Sequence, residues 1–329
     1  MEAIRYSAPG RAGIIGNPSD MYGGTVISCA VPLRARCTLE PADHLSFQSP
    51  ARTIKPDTLE LQNDEFDLCR AALAELGYSV EHAPFTLRIE SDIPVQSGLA
   101  GSSALLTAIV ACLLHYQAGG LPLPHDLAER VRRIEARRLG VSCGYQDFYM
   151  AVFGGINAME FRDKEGLGRD SDEPLATVET LSSYLRGVQL PLWLATTGGQ
   201  RFSGAVHRSL RSRWEEGESA VVEGMARIGR LAREAKRALL EQHWQRLAQL
   251  MNENYATIRE LGGSGESLDR LVQVALANGA LGAKLAGAGG AGGTVIVLTL
   301  QPDRTLPVLR EHAEQIIPVA PCAPGLIRC

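Results

Sequence analysis

Seven glycines fall within the fifteen residues 279–293, five of them in the run Lys284-Leu-Ala-Gly-Ala-Gly-Gly-Ala-Gly-Gly-Thr. Glycine loses more conformational freedom on folding than any other residue, and a tight turn needs only one or two. Such density therefore predicts backbone kept bare for a left-handed turn or for the close approach of another loop or a ligand. A β-prone run, 294–299, follows at once. A second concentration lies in the middle of the chain, where Pro94-Val-Gln-Ser-Gly-Leu-Ala-Gly-Ser-Ser-Ala separates the alternating run 85–90 from the apolar run 104–116. That order reads as strand, glycine loop, helix. The chain is thus predicted to mix helices with sheets and to hold two stretches of backbone open.

Length and charge narrow the function. With 329 residues, two domains or one large one with a sizeable core are expected, and a boundary is placed near 186, giving units over 1–186 and 187–329. The 33 Lys+Arg nearly balance the 37 Asp+Glu, for a net charge of −4, which argues against a general basic surface for nucleic acid. The longest nearly pure apolar run, 104–114, is shorter than the ~20 residues that cross a bilayer. No basic stretch followed by an apolar one marks the N-terminus as a signal peptide. The seven cysteines form no CxxC pair and leave one over. They are expected to be reduced thiols, mostly small buried hydrophobes, in a cytoplasmic protein that engages neither membrane nor nucleic acid.

Periodicity places the remaining elements. Strands are expected within 4–40, joined by the loop Gly16-Asn-Pro-Ser-Asp. Helices are expected over 63–76 with Gly77 as C-cap, 126–139 with Asp126 as N-cap, 145–152, 203–214, 218–241, 243–260 and 268–278. In 218–241 the apolar side is assigned to Val222, Met225, Ile228, Leu231, Leu239 and Leu240, with Arg and Glu on the solvated face. The stretch 162–185 reads as connecting structure and 188–196 as a buried strand.

Two segments suggest chemistry on residue type alone. At 98–104, small residues let backbone N–H groups approach an anion at a helix N-terminus, which carries roughly half a positive charge. Ser102 and Ser103 either cap the helix or reach a phosphate or Mg²⁺. No lysine follows the glycines, so this is not a Walker A loop. Glu135 and Asp147, twelve residues apart across a loop with two glycines, suit a divalent cation and a base that orients a hydroxyl; each alone is more often a surface acid, and the spacing is not a metal signature.

In combination the segments resemble a known family. Ala8-Pro-Gly-Arg-Ala-Gly-Ile-Ile-Gly, the 94–104 segment and Lys284-x-x-Gly-Ala-Gly-Gly-x-Gly-Gly resemble the three ordered motifs of the GHMP kinases. Gly16-Asn-Pro-Ser-Asp20, Gly140-Val-x-x-Gly-x-Gln-Asp147 and the 203–214 segment are most similar to the glucuronokinase branch; the bacterial heptose 7-phosphate kinases share Gly-x-Gln-Asp and Phe153-Gly-Gly. The resemblance implies an α+β architecture, with an N-terminal ribosomal-S5-domain-2-like unit, a C-terminal ferredoxin-like unit and the active site between them.

It also implies ATP and Mg²⁺ as cofactors, a small sugar or sugar acid as partner, and γ-phosphoryl transfer to a hydroxyl, the anomeric one being favoured. The cofactor would lie on Pro94, Ser97, Gly98, Leu99, Ala100, Gly101, Ser102, Ser103 and Ala104, with the metal on Ser102 and Glu135. Asp147 and Arg11 match catalytic positions. Asp20, Asn17, Gln146, Tyr22, Arg201 and Gly289 would face the acceptor, and Arg201, His207 and Arg208 are candidates for a substrate carboxylate or for ordinary surface charge. Asn17-Pro18 replaces the Glu-His common in the family, and Ala100 replaces a Gly or Ser. The alternatives are a heptose 7-phosphate or other hexose kinase, a non-catalytic sugar or nucleotide sensor on the same fold, and a diphosphate decarboxylase.

Overall fold

In the computed structural model the described residues are 2–162, 164, 175–197, 203–287, 289, 290 and 292–329, with no side chains described for 203–208. The N-terminal elements are β1 (Ile4–Ile15), β2 (Thr25–Pro41), β3 (Ser46–Gln48), β4 (Thr53–Ile54), α1 (Asp67–Glu75), β5 (Phe85–Ser91), α2 (Gly101–Ala118), α3 (Pro124–Arg137), α4 (Gln146–Phe153), β6 (Ile156–Glu160) and β7 (Thr177–Thr180). Then come β8 (Leu192–Thr196), α5 (Ser203–Glu215), α6 (Ser219–Leu240), α7 (Trp244–Glu260), α8 (Glu266–Ala277), β9 (Gly282–Leu285), β10 (Thr294–Leu298), α9 (Pro302–Arg310), β11 (Gln315–Pro318) and β12 (Ile327–Arg328).

Two sheets organise these elements. The larger has the order β12-β1-β2-β5-β3-β4, with β6 pairing the first part of β2 and β7 pairing β6; β3 and β5 are parallel neighbours. The smaller is antiparallel, in the order β11-β8-β10-β9. The sheets part between β7 and β8, but the chain returns at its end to pair Ile327 and Arg328 with Ser7 and Tyr6 of β1. One apolar core packs α1 to α4 on the larger sheet. A second joins Ala8, Ile14 and Ile27 of β1 and β2 to Leu231 and Ala235 of α6, Leu247 and Met251 of α7, and Leu194 of β8. The two units therefore bury surface against each other, and each leucine so buried contributes roughly 1.5–3 kcal/mol.

α2 is eighteen residues long and apolar enough to span a bilayer by composition, yet most of it, from Ala104 to Leu114, is packed in the core. Cys29, Cys37, Cys69 and Cys112 are buried small hydrophobes, whereas Cys322 and Cys329 are exposed.

Several element ends differ from the sequence expectation for local reasons. Residues 63–66 form a turn, because the Phe66 N–H is taken by the Asp64 carboxylate and the Gln62 N–H by Asp67, so α1 starts at Asp67. Asp126 is not an N-cap: the cap is Leu123, Pro124 follows in the first turn, and Asp126 sits inside that turn, where a negative charge favours the helix dipole. In α6 the buried stripe runs Val221, Met225, Ile228, Ala232, Ala235 and Leu239, at alternating spacings of four and three. Val222, one position out of phase, is exposed, and Leu240 is only partly buried.

Candidate active site

The site forms where the first motif, the 94–100 loop and the glycine-rich loop meet. β1 and β2 lose register between Pro9 and Arg11, a bulge that re-aims the strand. Next to it, the Arg11 N–H donates to the Leu99 carbonyl at 2.9 Å. Gly10 permits this approach: a Cβ there would lie 2.6 Å from that carbonyl oxygen. The Arg11 side chain, 8% exposed, then donates through Nε to Asp147 Oδ1 at 2.6 Å and through Nη1 to the carbonyls of Gly98 (3.0 Å) and Ala286 (3.1 Å). One guanidinium thus ties the aspartate, the middle loop and the glycine-rich loop together.

The middle loop turns left-handed at alternate residues: Gln96 (φ 57°), Gly98 (φ 78°) and Ala100 (φ 58°). Alternation of this kind turns successive N–H groups inward into an anion-binding concavity, and the N-terminus of α2 follows directly. Ala100 holds a conformation that costs a non-glycine residue about 1–2 kcal/mol. A cleft of about 410 Å³ opens over this loop, lined by Pro94, Ser97, Gly98, Ala100 to Ser103, Glu135, Cys143, Asp147 and Arg11. Ser97 lines the cleft, and its Oγ is buried with no hydrogen-bond partner. Leu99 and Ala104 do not line the cleft; their side chains are core, and Leu99 contributes only its carbonyl. Val95, Gln96 and Cys143 line it without having been singled out; the unusual backbone of Gln96 has no signature in residue type.

Glu135 accepts hydrogen bonds from Ser102 Oγ (3.2 Å) and Ser103 Oγ (3.1 Å). Burial, with the Asp147 charge adding to it, pushes its carboxyl up to about 7 against the two hydroxyls. A cation would relieve that cost. Among the described residues no three His, Cys, Asp or Glu side chains form a metal cage. One carboxylate and one hydroxyl facing a phosphate cleft fit Mg²⁺, which keeps several waters and takes few protein oxygens.

On the acceptor side the geometry departs from several expectations. Asp20 is fully buried, and its carboxylate accepts from the N–H groups of Tyr145 (2.9 Å) and Gln146 (3.1 Å) and from Gln146 Nε2 (2.8 Å). It therefore caps the start of α4, the helix that carries Asp147. Burial, then the Asp147 charge, push it up to about 6. The other end of Gln146 accepts from Ser28 Oγ at 3.0 Å. Asn17 is 3% exposed, with its amide committed to Lys284 Nζ and to the carbonyls of Leu285 and Gly287. Gly289 packs so closely on the Gly263 carbonyl that a Cβ would overlap it, which places it in a backbone crossing. The Tyr22 ring packs on Trp214 and under Arg211, and its buried hydroxyl has no partner. Arg201 lies outside the described residues, as do the side chains of His207 and Arg208. Lys284, whose role the sequence left open, is fully buried at the centre of this network.

Comparison with known proteins identifies the family. The family description "GHMP kinases N terminal domain" matches residues 67–155, and "GHMP kinases C terminal" matches 235–315. The Arabidopsis thaliana protein "Probable glucuronokinase 2" is 30% identical over 332 residues, covering 93% of this chain and 87% of its own. The chain belongs to the GHMP kinase family. A "D-glycero-alpha-D-manno-heptose 7-phosphate kinase" of Campylobacter jejuni is 28% identical, over 89% of this chain and 88% of its own. The crystal structure of Lactococcus lactis galactokinase complexed with galactose superposes with a TM-score of 0.78 at 18% identity, covering 100% of this chain and 95% of that one. This GHMP kinase is a phosphotransferase acting on an alcohol group, and ATP is the phosphoryl donor of its family.

Proposed function

We propose that this kinase transfers the γ-phosphoryl group of ATP to a hydroxyl, the anomeric one, of a sugar acid such as glucuronate, giving the sugar 1-phosphate. The observation that carries the reading is the Arg11–Asp147 pair, held at the edge of the phosphate cleft by the Gly98 carbonyl. The N–H groups of the left-handed loop and the α2 terminus would bind the phosphates. Mg²⁺, held by Ser102 and Glu135, would supply charge neutralisation between the β and γ oxygens. Asp147 accepts the proton of the attacking hydroxyl as that oxygen bonds to phosphorus, and the bond to ADP breaks. Arg11, with Nε on Asp147, steadies the charge that develops between them. Positioning and electrostatics supply most of the rate in such transfers, and the geometry offers both.

The sugar-acid assignment is supported by the glucuronokinase relative at 30% identity, and the 28% identical heptose 7-phosphate kinase supports the second reading. ADP release with Mg·ATP, measured across uronic acids, neutral hexoses and heptose 7-phosphate, tests both. Glucuronate or another uronic acid is expected to give the highest kcat/KM. A heptose phosphate preferred by tenfold or more would overturn the sugar-acid reading in favour of the second. Absence of turnover with every acceptor, together with tight nucleotide or sugar binding, would support a sensor instead.

A further inference from the structure

We propose that Lys284 and Asn17 form a buried latch that sets the position of Arg11, making Lys284 a positioning residue for phosphoryl transfer. The inference deepens the kinase reading above and rests on it. Arg11 Nη1 is gripped by two carbonyls, one from the middle loop (Gly98) and one from the glycine-rich loop (Ala286). Its aim at Asp147 therefore depends on where the second loop holds Ala286. That carbonyl also accepts from the Gly13 N–H at 2.7 Å, so the same loop is tied to the first motif strand.

Asn17 fixes the carbonyls on either side. Its Nδ2 donates to Leu285 (3.2 Å) and to Gly287 (3.0 Å), which commits both hydrogens of the amide. Rotated by half a turn, the amide would aim its oxygen at two carbonyl oxygens. Lys284 prevents that rotation: its Nζ lies 2.5 Å from Asn17 Oδ1 and 2.5 Å from the Leu285 carbonyl, donating to both. Lys284 is fully buried and makes no ion pair with any described residue. An isolated buried ammonium is costly, and burial followed by the Arg11 charge pushes this one down to about 7. Loss of one proton still leaves the amine two N–H groups for its two acceptors. A methionine of similar length would fill the space without that cost, so the amine is retained for what it orients.

The test compares Lys284→Met, Lys284→Gln, Asn17→Leu and the Met/Leu double variant with the wild type. Amide hydrogen exchange over 282–290 is read in the ligand-free protein, and kcat and KM for ATP are read by ADP release. Lys284→Met is expected to raise exchange in that segment about tenfold and to lower kcat about tenfold, with KM for ATP within about threefold. The Gln variant, whose amide still donates to Asn17, is expected to recover kcat to within about threefold of the wild type. The double variant is expected to lose no more than the worse single one, since the two residues act as a unit.

Wild-type exchange and kcat in Lys284→Met, or losses that simply add in the double variant, would overturn the latch. So would a Gln variant as impaired as Met. Should Lys284→Met not fold, the Gln and Asn17→Leu variants decide the same points. Should the wild type release no ADP with any acceptor, the kinase reading fails, and the exchange data and the Asn17 coupling judge the latch alone.

Discussion

In the loop that opens into α2, two glycines suffice, and the backbone turns left-handed at Gln96, Gly98 and Ala100 to face a cleft. In the segment that leads through β9 to β10, seven glycines cluster over 279–293, five of them in the loop after β9, yet those whose surroundings are described mostly meet other backbone. A Cβ on Gly287 would lie 2.6 Å from the Gly98 carbonyl, one on Gly282 would lie 2.9 Å from Ala248 Cα, and one on Gly289 would overlap the Gly263 carbonyl. The glycine-poor loop lines an open cleft and the glycine-rich loop packs on its neighbours. Glycine density here marks crowding, while the cradle is marked by left-handed turns at alternate residues, two of which, Gln96 and Ala100, are not glycine. The two loops meet where Gly287 packs on Gly98 and where Gly98 and Ala286 share the Arg11 guanidinium.

If the two loops divide the work in this way, substitutions on the two sides fail differently. Asp147→Asn removes the proton acceptor proposed on the cleft side, and kcat is expected to fall about 10³-fold with Kd for ATP nearly unchanged. A variant that turns over at the wild-type rate would remove Asp147 from the chemistry. Gly289→Ala strikes the packing side. It is expected to lower stability by about 3 kcal/mol, read as a drop in Tm, because backbone on the other side of the contact has no room to move. Gly101→Ala is its control on the cleft side, where the nearest atom to a Cβ is Ile93 Cγ2 at 3.2 Å; its Tm is expected to stay within about 2 °C of the wild type. Equal losses in the two glycine variants would erase the distinction.

Asp20 sits between the regions, capping the helix that delivers Asp147. Its carboxyl is raised to about 6 from 3.8, so the ionised form is the disfavoured one in the folded state. The stability linked to this shift is full below pH 3.8 and is lost as pH rises through about 6. Asp20→Asn removes the titration, so the Tm of the variant relative to the wild type is expected to climb by a few degrees between pH 4 and pH 7. A flat difference would mean that Asp20 is not shifted. The smallest effect is expected from Ala100→Gly, which relieves the left-handed alanine but frees the unfolded chain. The terms nearly cancel, leaving about 0.5 kcal/mol of gain; a loss above about 1 kcal/mol would show that the alanine methyl packs in the loop.

Local features of the fold were legible in the sequence. The strand before 94 follows from a period of two and the amphipathic α6 from one of 3.6, while the helix after 100 follows from a long apolar run behind a glycine loop. Arg11, Ser102 and Asp147 stand in recognisable motifs, Glu135 is placed only by its position near a family glutamate, and all four line one cleft. Errors arose where a side chain found a partner outside its own pattern: Asp64 and Asp67 turned 63–66 away from helix, and Asp20 became a cap for a helix more than a hundred residues away. Leu99 and Ala104 belong to the phosphate-loop motif by position but point into the core.

Neighbouring residues alone determined where backbone had to be bare, where a helix terminus followed it, and which acids and arginine were available, because conformational preference and periodicity act over a few residues. The tertiary structure decided which of those groups remain free for chemistry. Asn17 is satisfied by Lys284 at a separation of 267 residues, whereas Ser97 Oγ is left without a partner. Hydrogen-bond satisfaction in a low-dielectric interior depends on what the folded chain brings within about 3 Å, and no local pattern records that distance.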